Sequence, residues 1–116
     1  MKESKIFKLA FNKCSEFLKN ISENNLENLQ NEFGISTDNL NEIMEAVKPY
    51  SEDTENNFFT INEKQFEVFN YNNNVDFGIE AALFTSQDKK TELTIHAELI
   101  KQEADYKLQY KLIEVM

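Results

Sequence analysis

The chain has 116 residues, 41% of them apolar, with ten Phe and four Tyr, which suffices for one domain with its own core and falls short of two ordinary domains. Twenty-one acidic side chains oppose twelve basic ones, for a net charge of -9. That balance argues against nucleic acid as a partner, because its phosphates are neutralised by Lys and Arg, and against docking on an anionic membrane.

All twelve basic residues are Lys, so a bidentate guanidinium clamp for phosphate or carboxylate cannot be built. The N-terminal stretch MKESKIFKLAFNKCSEF is broken throughout by Lys and Glu and contains no apolar signal-peptide core. No run approaches the roughly 18 apolar residues of a membrane span. A cytoplasmic protein of bacterial type is the expectation, and the Asn20-Ile21-Ser22 sequon is then chance.

Residues 4 to 21 place Ile6, Phe7, Ala10, Phe11, Cys14, Phe17, Leu18 and Ile21 within an arc of about 140° on a helical wheel. The spacing predicts a long helix with one buried face. Its single cysteine, Cys14, lies among those apolar side chains and reads as a buried thiol. Lys5, Lys8 and Lys19 project on the other side and read as a solvated face. Ser22 or Asn24 is expected to cap a second helix through Leu26, Leu29 and Phe33, with Gly34 as its left-handed stop. Ser36 or Thr37 starts a third, with Leu40, Ile43, Met44 and Val47 on one side and Pro49 at its end. The run YSEDTENN over 50 to 57 holds three acids and no base and reads as an exposed connection.

Beyond it the period changes. Phe58 to Ile61 and Phe66 to Tyr71 suggest two short strands. Then Phe77, Ile79, Ala81 and Leu83, next Leu93, Ile95, Ala97 and Leu99, and last Tyr106, Leu108, Tyr110 and Leu112 alternate with smaller or polar neighbours. A period of two, three times over, predicts half-buried strands, and the short connections at 87 to 89 and 102 to 105 make them antiparallel neighbours. The expected fold class is α+β over residues 1–116. A helical part (1–48) packs on one face of an antiparallel, curved, four- to five-stranded meander (58–116).

Familiar catalytic signatures are missing. Two glycines, Gly34 and Gly78, cannot form a Gly-rich phosphate loop or dinucleotide fingerprint. One Cys and one His do not make a zinc site, and the acidic stretch from Glu52 to Glu63 lacks the central glycine of a calcium loop. No metal or cofactor is expected.

Strand register allows one sharper inference. If Ser86 pairs with Lys90 and Lys101 with Tyr106, then Phe77 meets Leu99, Glu80 meets His96, Leu99 meets Leu108, and His96 meets Lys111. Apolar residues then share one face. Glu80, His96 and Lys111 line up on the other, with Glu98 two residues from His96. An acid beside an imidazole is the arrangement of a general base, yet on an open face the plainer reading is a ladder of charges. Phe84, Ile100, Ile113 and Val115 are expected at the margin of that face, where a partner or a second copy would cover them, unless a β-bulge near Leu112 and Ile113 shifts the alternation.

A long first helix, short helices and a closing meander, DFGIEAALFTSQDKKTELTIHAELIKQEADYKLQYKLIEVM, resemble the cystatin-like roll of nuclear-transport-factor-two-like proteins. The resemblance implies two kinds of function. Some small bacterial proteins of this type are immunity proteins that neutralise a toxin, and others are isomerases or dehydratases with a pocket inside the roll. No catalytic residue is carried over from it. The first expectation is therefore a non-enzymatic acidic module that engages a basic protein partner through Glu52, Asp53, Glu55, Glu80, His96, Glu98 and Lys111. The alternatives are a small-molecule enzyme or carrier with a pocket under the first helix, and a self-dimerising domain.

Overall fold

The computed structural model describes residues 2–53, 59–70, 76–85, 87–103 and 105–115. Helix α1 spans Lys2–Ser22, α2 Leu26–Phe33 and α3 Thr37–Val47. A 3-10 helix, Lys48–Asp53, follows α3 directly, so Pro49 tightens the chain into a narrower helix where an abrupt end was expected. A four-stranded antiparallel sheet completes the α+β fold, in the order β1 (Phe66–Asn70), β2 (Phe77–Phe84), β3 (Lys90–Gln102) and β4 (Asp105–Val115). The expected fifth strand is absent from the described residues. Phe58 lies outside them, and the segment after it contributes a single bridge, Thr60 to Phe84.

Helix ends follow local chemistry. Asn25, one residue beyond the expected caps, accepts from the Asn28 amide at the start of α2. Gly34 closes that helix at φ 67°, where a side chain would cost about 1–2 kcal/mol. Ser36 caps α3 in a reciprocal capping box with Asn39. Asn20 is 8% exposed; its amide donates to the Glu16 carbonyl at 2.8 Å and its oxygen accepts from Asn28 at 3.2 Å. Those bonds occupy the sequon asparagine within the α1–α2 corner.

The core lies between α1 and one face of the sheet. Phe7 and Phe11 meet Phe66 of β1 edge-on, with ring centroids 5.4 and 5.2 Å apart. Ten residues further along the helix, Phe17 stacks on Tyr110 of β4 at 5.6 Å and meets Phe33 of α2 edge-on at 5.4 Å. Helix α1 thus crosses the sheet from its first strand to its last, and its aromatic stripe fills the space beneath it. Phe17, Leu29, Ile79, Leu83, Leu93, Ile95, Leu99 and Leu108 are all buried there. Among the described residues, no helix is long and apolar enough to cross a membrane.

Cys14 is fully buried in this core, and burial pushes its thiol up from 9.0 to about 12. The folded chain therefore holds the thiol proton while the unfolded chain releases it, and stability falls as pH rises from 9 towards 12. A disulfide-exchange reagent at neutral pH should modify Cys14 at least about 100-fold more slowly in the native protein than in denaturant. Equal rates in the two states would contradict the buried placement.

Candidate functional site: the open face of the sheet

All three helices pack on one face of the sheet, and among the described residues no helix or strand covers the other. Pairing assigns its side chains. Glu67 lies opposite Glu80 and Phe69 opposite Gly78. Gly78 lies opposite Glu98, Glu80 opposite His96 and Ala82 opposite Thr94. Gln109 lies opposite Glu98, Lys107 opposite Ile100 and Glu114 opposite Thr94.

Much of the expected register is present. Phe77 meets Leu99, Glu80 meets His96, Leu99 meets Leu108 and Ala97 meets Tyr110. Two irregularities correct the rest. At the first hairpin Lys90 pairs with Phe84, where Ser86 was expected, because the ladder shifts between Ala82 and Phe84. Phe84 is consequently buried at 9% exposure and does not sit on an open margin. On β4 the ladder shifts at His96/Ala97, so that His96 pairs with Leu112 and Lys111 is the additional residue of a β-bulge. One inserted residue reverses every side chain after it. Ile113 comes to lie opposite Ile95 and packs against the core, and Val115 comes to lie opposite Leu93. Neither belongs to the polar face, and Leu112 appears there in their place at 45% exposure.

The bulge also rewires the charges. His96 Nε2 lies 2.7 Å from Glu114 Oε1, and Lys111 Nζ lies 3.0 Å from Glu98 Oε1. The imidazole is thus paired with an acid that the register had not marked, and the lysine turns back to Glu98. Neither contact includes Glu80, which faces Glu67 across β1 and β2. Glu80, His96, Glu98 and Lys111 do share the open face. The backbone of Glu52 and Asp53 closes the 3-10 helix Lys48–Asp53; their side chains, and the whole of Glu55, lie outside the described residues.

Phe69 and Leu112 are the missed members of this surface. Phe69, 44% exposed, lies across Gly78, and a Cβ on that glycine would overlap its ring. Glycine serves here by letting an aromatic ring on the edge strand settle onto the sheet. Phe69, His96, Lys111, Leu112 and Glu114 border a shallow depression of about 260 Å³. A second, of about 460 Å³, lies beside Glu67, Glu80, Glu92 and Thr94 and is also lined by Lys64 and Lys90. Both are open to solvent, so the His96–Glu114 pair lacks the water-excluding enclosure that strengthens catalytic electrostatics. The arrangement is suited to contact with another surface.

The half-buried Tyr110 is raised to about 12, first by burial and then by the charge of Glu42. It acts as a packing element against Phe17. Among the described residues, no group of three or more His, Cys, Asp or Glu side chains is placed to hold a metal ion.

A family model described as a domain of unknown function, DUF7668, matches residues 18–116, from the end of α1 through the whole sheet. No curated protein and no solved structure matches the chain.

Because Lys111 is the inserted residue, deleting it should turn β4 into a regular strand with Leu112, Ile113 and Val115 still opposite their present partners. Thermal unfolding of the deletion variant should show a loss of less than about 1 kcal/mol, mainly the Glu98 ion pair. A loss above about 3 kcal/mol would mean that the bend made by the bulge is itself required.

Proposed function

We propose that this chain, which belongs to the DUF7668 family, is a non-enzymatic acidic binding module of toxin-immunity type that engages a basic protein partner. One observation carries the reading: α2, α3 and the turn before α2 present Glu23, Glu27, Glu32, Asp38, Glu42 and Glu45 to solvent, while the exposed lysines Lys5, Lys8 and Lys19 lie on α1, and residues 21 to 50 contain one lysine, Lys48, against these six acids. The Lys111–Glu98 ion pair and the His96–Glu114 contact lie on the sheet and engage none of them. A surface of one sign speeds encounter with a partner of the other and rejects like-charged competitors. Such a surface suits the cationic cleft of a nucleic-acid-cleaving toxin.

The competing reading, a small-molecule enzyme or carrier of the cystatin-like roll, needs an apolar pocket beneath α1. Phe7, Phe11 and Phe17 stand in that position, packed against Phe66 and Tyr110. The filled interior favours surface recognition over the binding of a small substrate.

The test is capture from the native organism on immobilised chain at low ionic strength, beside a variant with Glu32→Lys, Glu42→Lys and Glu45→Lys. Glu32 and Glu45 lie in the last turns of α2 and α3, where lysine also suits the helix dipole, and Glu42 is exposed in the middle of α3, so the variant should fold. The expected partner is basic, elutes as salt shortens the Debye length to about 3 Å near 1 M, escapes the variant, and is toxic when expressed without this chain. Binding that survives the three reversals would remove the charge mechanism.

A further inference from the structure

We infer that the larger depression on the open face, beside β1 and β2, binds a short peptide of two or three residues with both termini free. This site is separate from the acidic surface of α2 and α3 on the other side of the sheet and does not depend on the function proposed for that surface.

The depression, of about 460 Å³, is lined by charged side chains of both signs, Lys64, Glu67, Glu80, Lys90 and Glu92. No ion pair closes between them; among the described residues the close pairs of opposite charge are Lys111–Glu98 and His96–Glu114, towards β4. Register holds them apart. Glu67 and Glu80 lie opposite each other, whereas Lys90 lies opposite Phe84, four positions further along β2. Lys64 stands in the 3-10 turn Glu63–Gln65, before β1 begins. Strands β1 and β3 start at the same end of the sheet, so both lysines belong to that end and the opposed acids lie further in. The third acid, Glu92, accepts from the Tyr50 hydroxyl at 3.4 Å, and the Lys90 ammonium donates to the side-chain oxygen of Gln65 at 3.4 Å.

Thr94 lies between the two ends. It pairs with Ala82, midway between Glu80 and Phe84 on β2. The residue is 8% exposed and borders the depression. Its hydroxyl has no hydrogen-bond partner among the described residues, where every fully enclosed side-chain nitrogen or oxygen has one. The small exposed part of Thr94 therefore includes that oxygen, which opens into the depression. A hydroxyl so nearly buried is normally satisfied by a partner.

Acids at one end, lysines at the other and a neutral hydroxyl between them complement an ammonium, a peptide group and a carboxylate in line. The peptide ammonium meets Glu67 and Glu80 and relieves the repulsion between their carboxylates. Its carboxylate meets Lys64 and Lys90, and Thr94, both donor and acceptor, meets a peptide group. The spacing sets the length. Glu80 and Phe84 are about 13 Å apart along the strand, and side chains leaning in from both ends leave roughly 7–10 Å between charges, two or three residues of extended chain. A single amino acid cannot bridge that gap. Because the depression is open, each charge contact is screened, and the dissociation constant should be on the order of 1 mM.

NMR of the backbone amides of the full chain, titrated with Ala-Ala-Ala to about 20 mM at low salt, tests the site. Saturable shifts are expected at Glu80, Ala82 and Thr94, weakening as salt is added. N-acetyl-Ala-Ala-Ala, Ala-Ala-Ala amide and free alanine should each bind at least about threefold more weakly, since each loses one end contact. Thr94→Val keeps the shape, removes the hydroxyl and should cost at least about threefold, as should Lys64→Met with Lys90→Met. Glu67→Gln with Glu80→Gln should weaken binding while raising the melting temperature, so unfolding cannot account for that loss. Reversing Glu32, Glu42 and Glu45 should leave the titration unchanged. The absence of saturable shifts at these amides, or equal binding of N-acetyl-Ala-Ala-Ala amide, overturns the assignment. Phosphocholine, a zwitterion without N–H donors, binding as tightly as the tripeptide would overturn the peptide as ligand.

Discussion

The packing of the α1 aromatic stripe across one face of the sheet is the contact on which the rest of the molecule depends. Phe7 and Phe11 hold the helix to Phe66 on the first strand, and Phe17 holds it to Tyr110 on the last. Edge-to-face and offset stacked rings add about 0.5–1.5 kcal/mol per pair beyond the area they bury. More important is their placement at opposite margins of the sheet. A helix fastened at both ends of its path spans all four strands, so two short helices and one long one suffice to close the core. The same contact sets the polarity of the fold, because a sheet covered on one side by helices must face its surroundings with the other.

That division was largely legible in the residues. A helical period over 4 to 21 and a period of two from Phe77 onward are strong, long signals, and they survive in the structure as one helix and three strands. Gly34 and Ser36 announced the ends of α2 and α3 because a left-handed stop and a side-chain cap need those residue types. Weaker signals misled where they were short. The apolar residues around Phe59 and Ile61 looked like a strand; Phe59 instead fills the core, and Thr60 holds one bridge. Burial without pairing and burial with pairing leave the same mark on a four-residue stretch.

The candidate site was half legible for a related reason. Turn positions gave the register of β2 with β3 and of the first half of β4, so Glu80 and His96 could be placed side by side from the sequence. An inserted residue cannot be derived from periodicity upstream of it. The adjacent apolar pair Leu112-Ile113 was its trace, since two neighbours in a regular strand cannot both face the core. Once Lys111 is inserted, Ile113 reaches the core, Leu112 is left outside, and the acid that reaches His96 is Glu114. Phe69 was missed because its exposure is made by a glycine on the neighbouring strand, a relation between positions that only pairing reveals.

The bulge therefore settles what kind of surface the open face becomes. A regular β4 ending in Leu112, Ile113 and Val115 would either expose two β-branched residues or force a charge into the core. Lys111 avoids both and keeps one apolar side chain outside, next to the Lys111–Glu98 ion pair and the His96–Glu114 contact. Glu67 and Glu80 lie at the margin farthest from β4, where Lys64 and Lys90 border the same depression. Opposed carboxylates on adjacent strands reduce the stability of the isolated sheet, and nothing in the packing beneath them requires acids at these positions. The open face therefore carries charges of both signs along both margins, with Phe69 and Leu112 as its exposed apolar members.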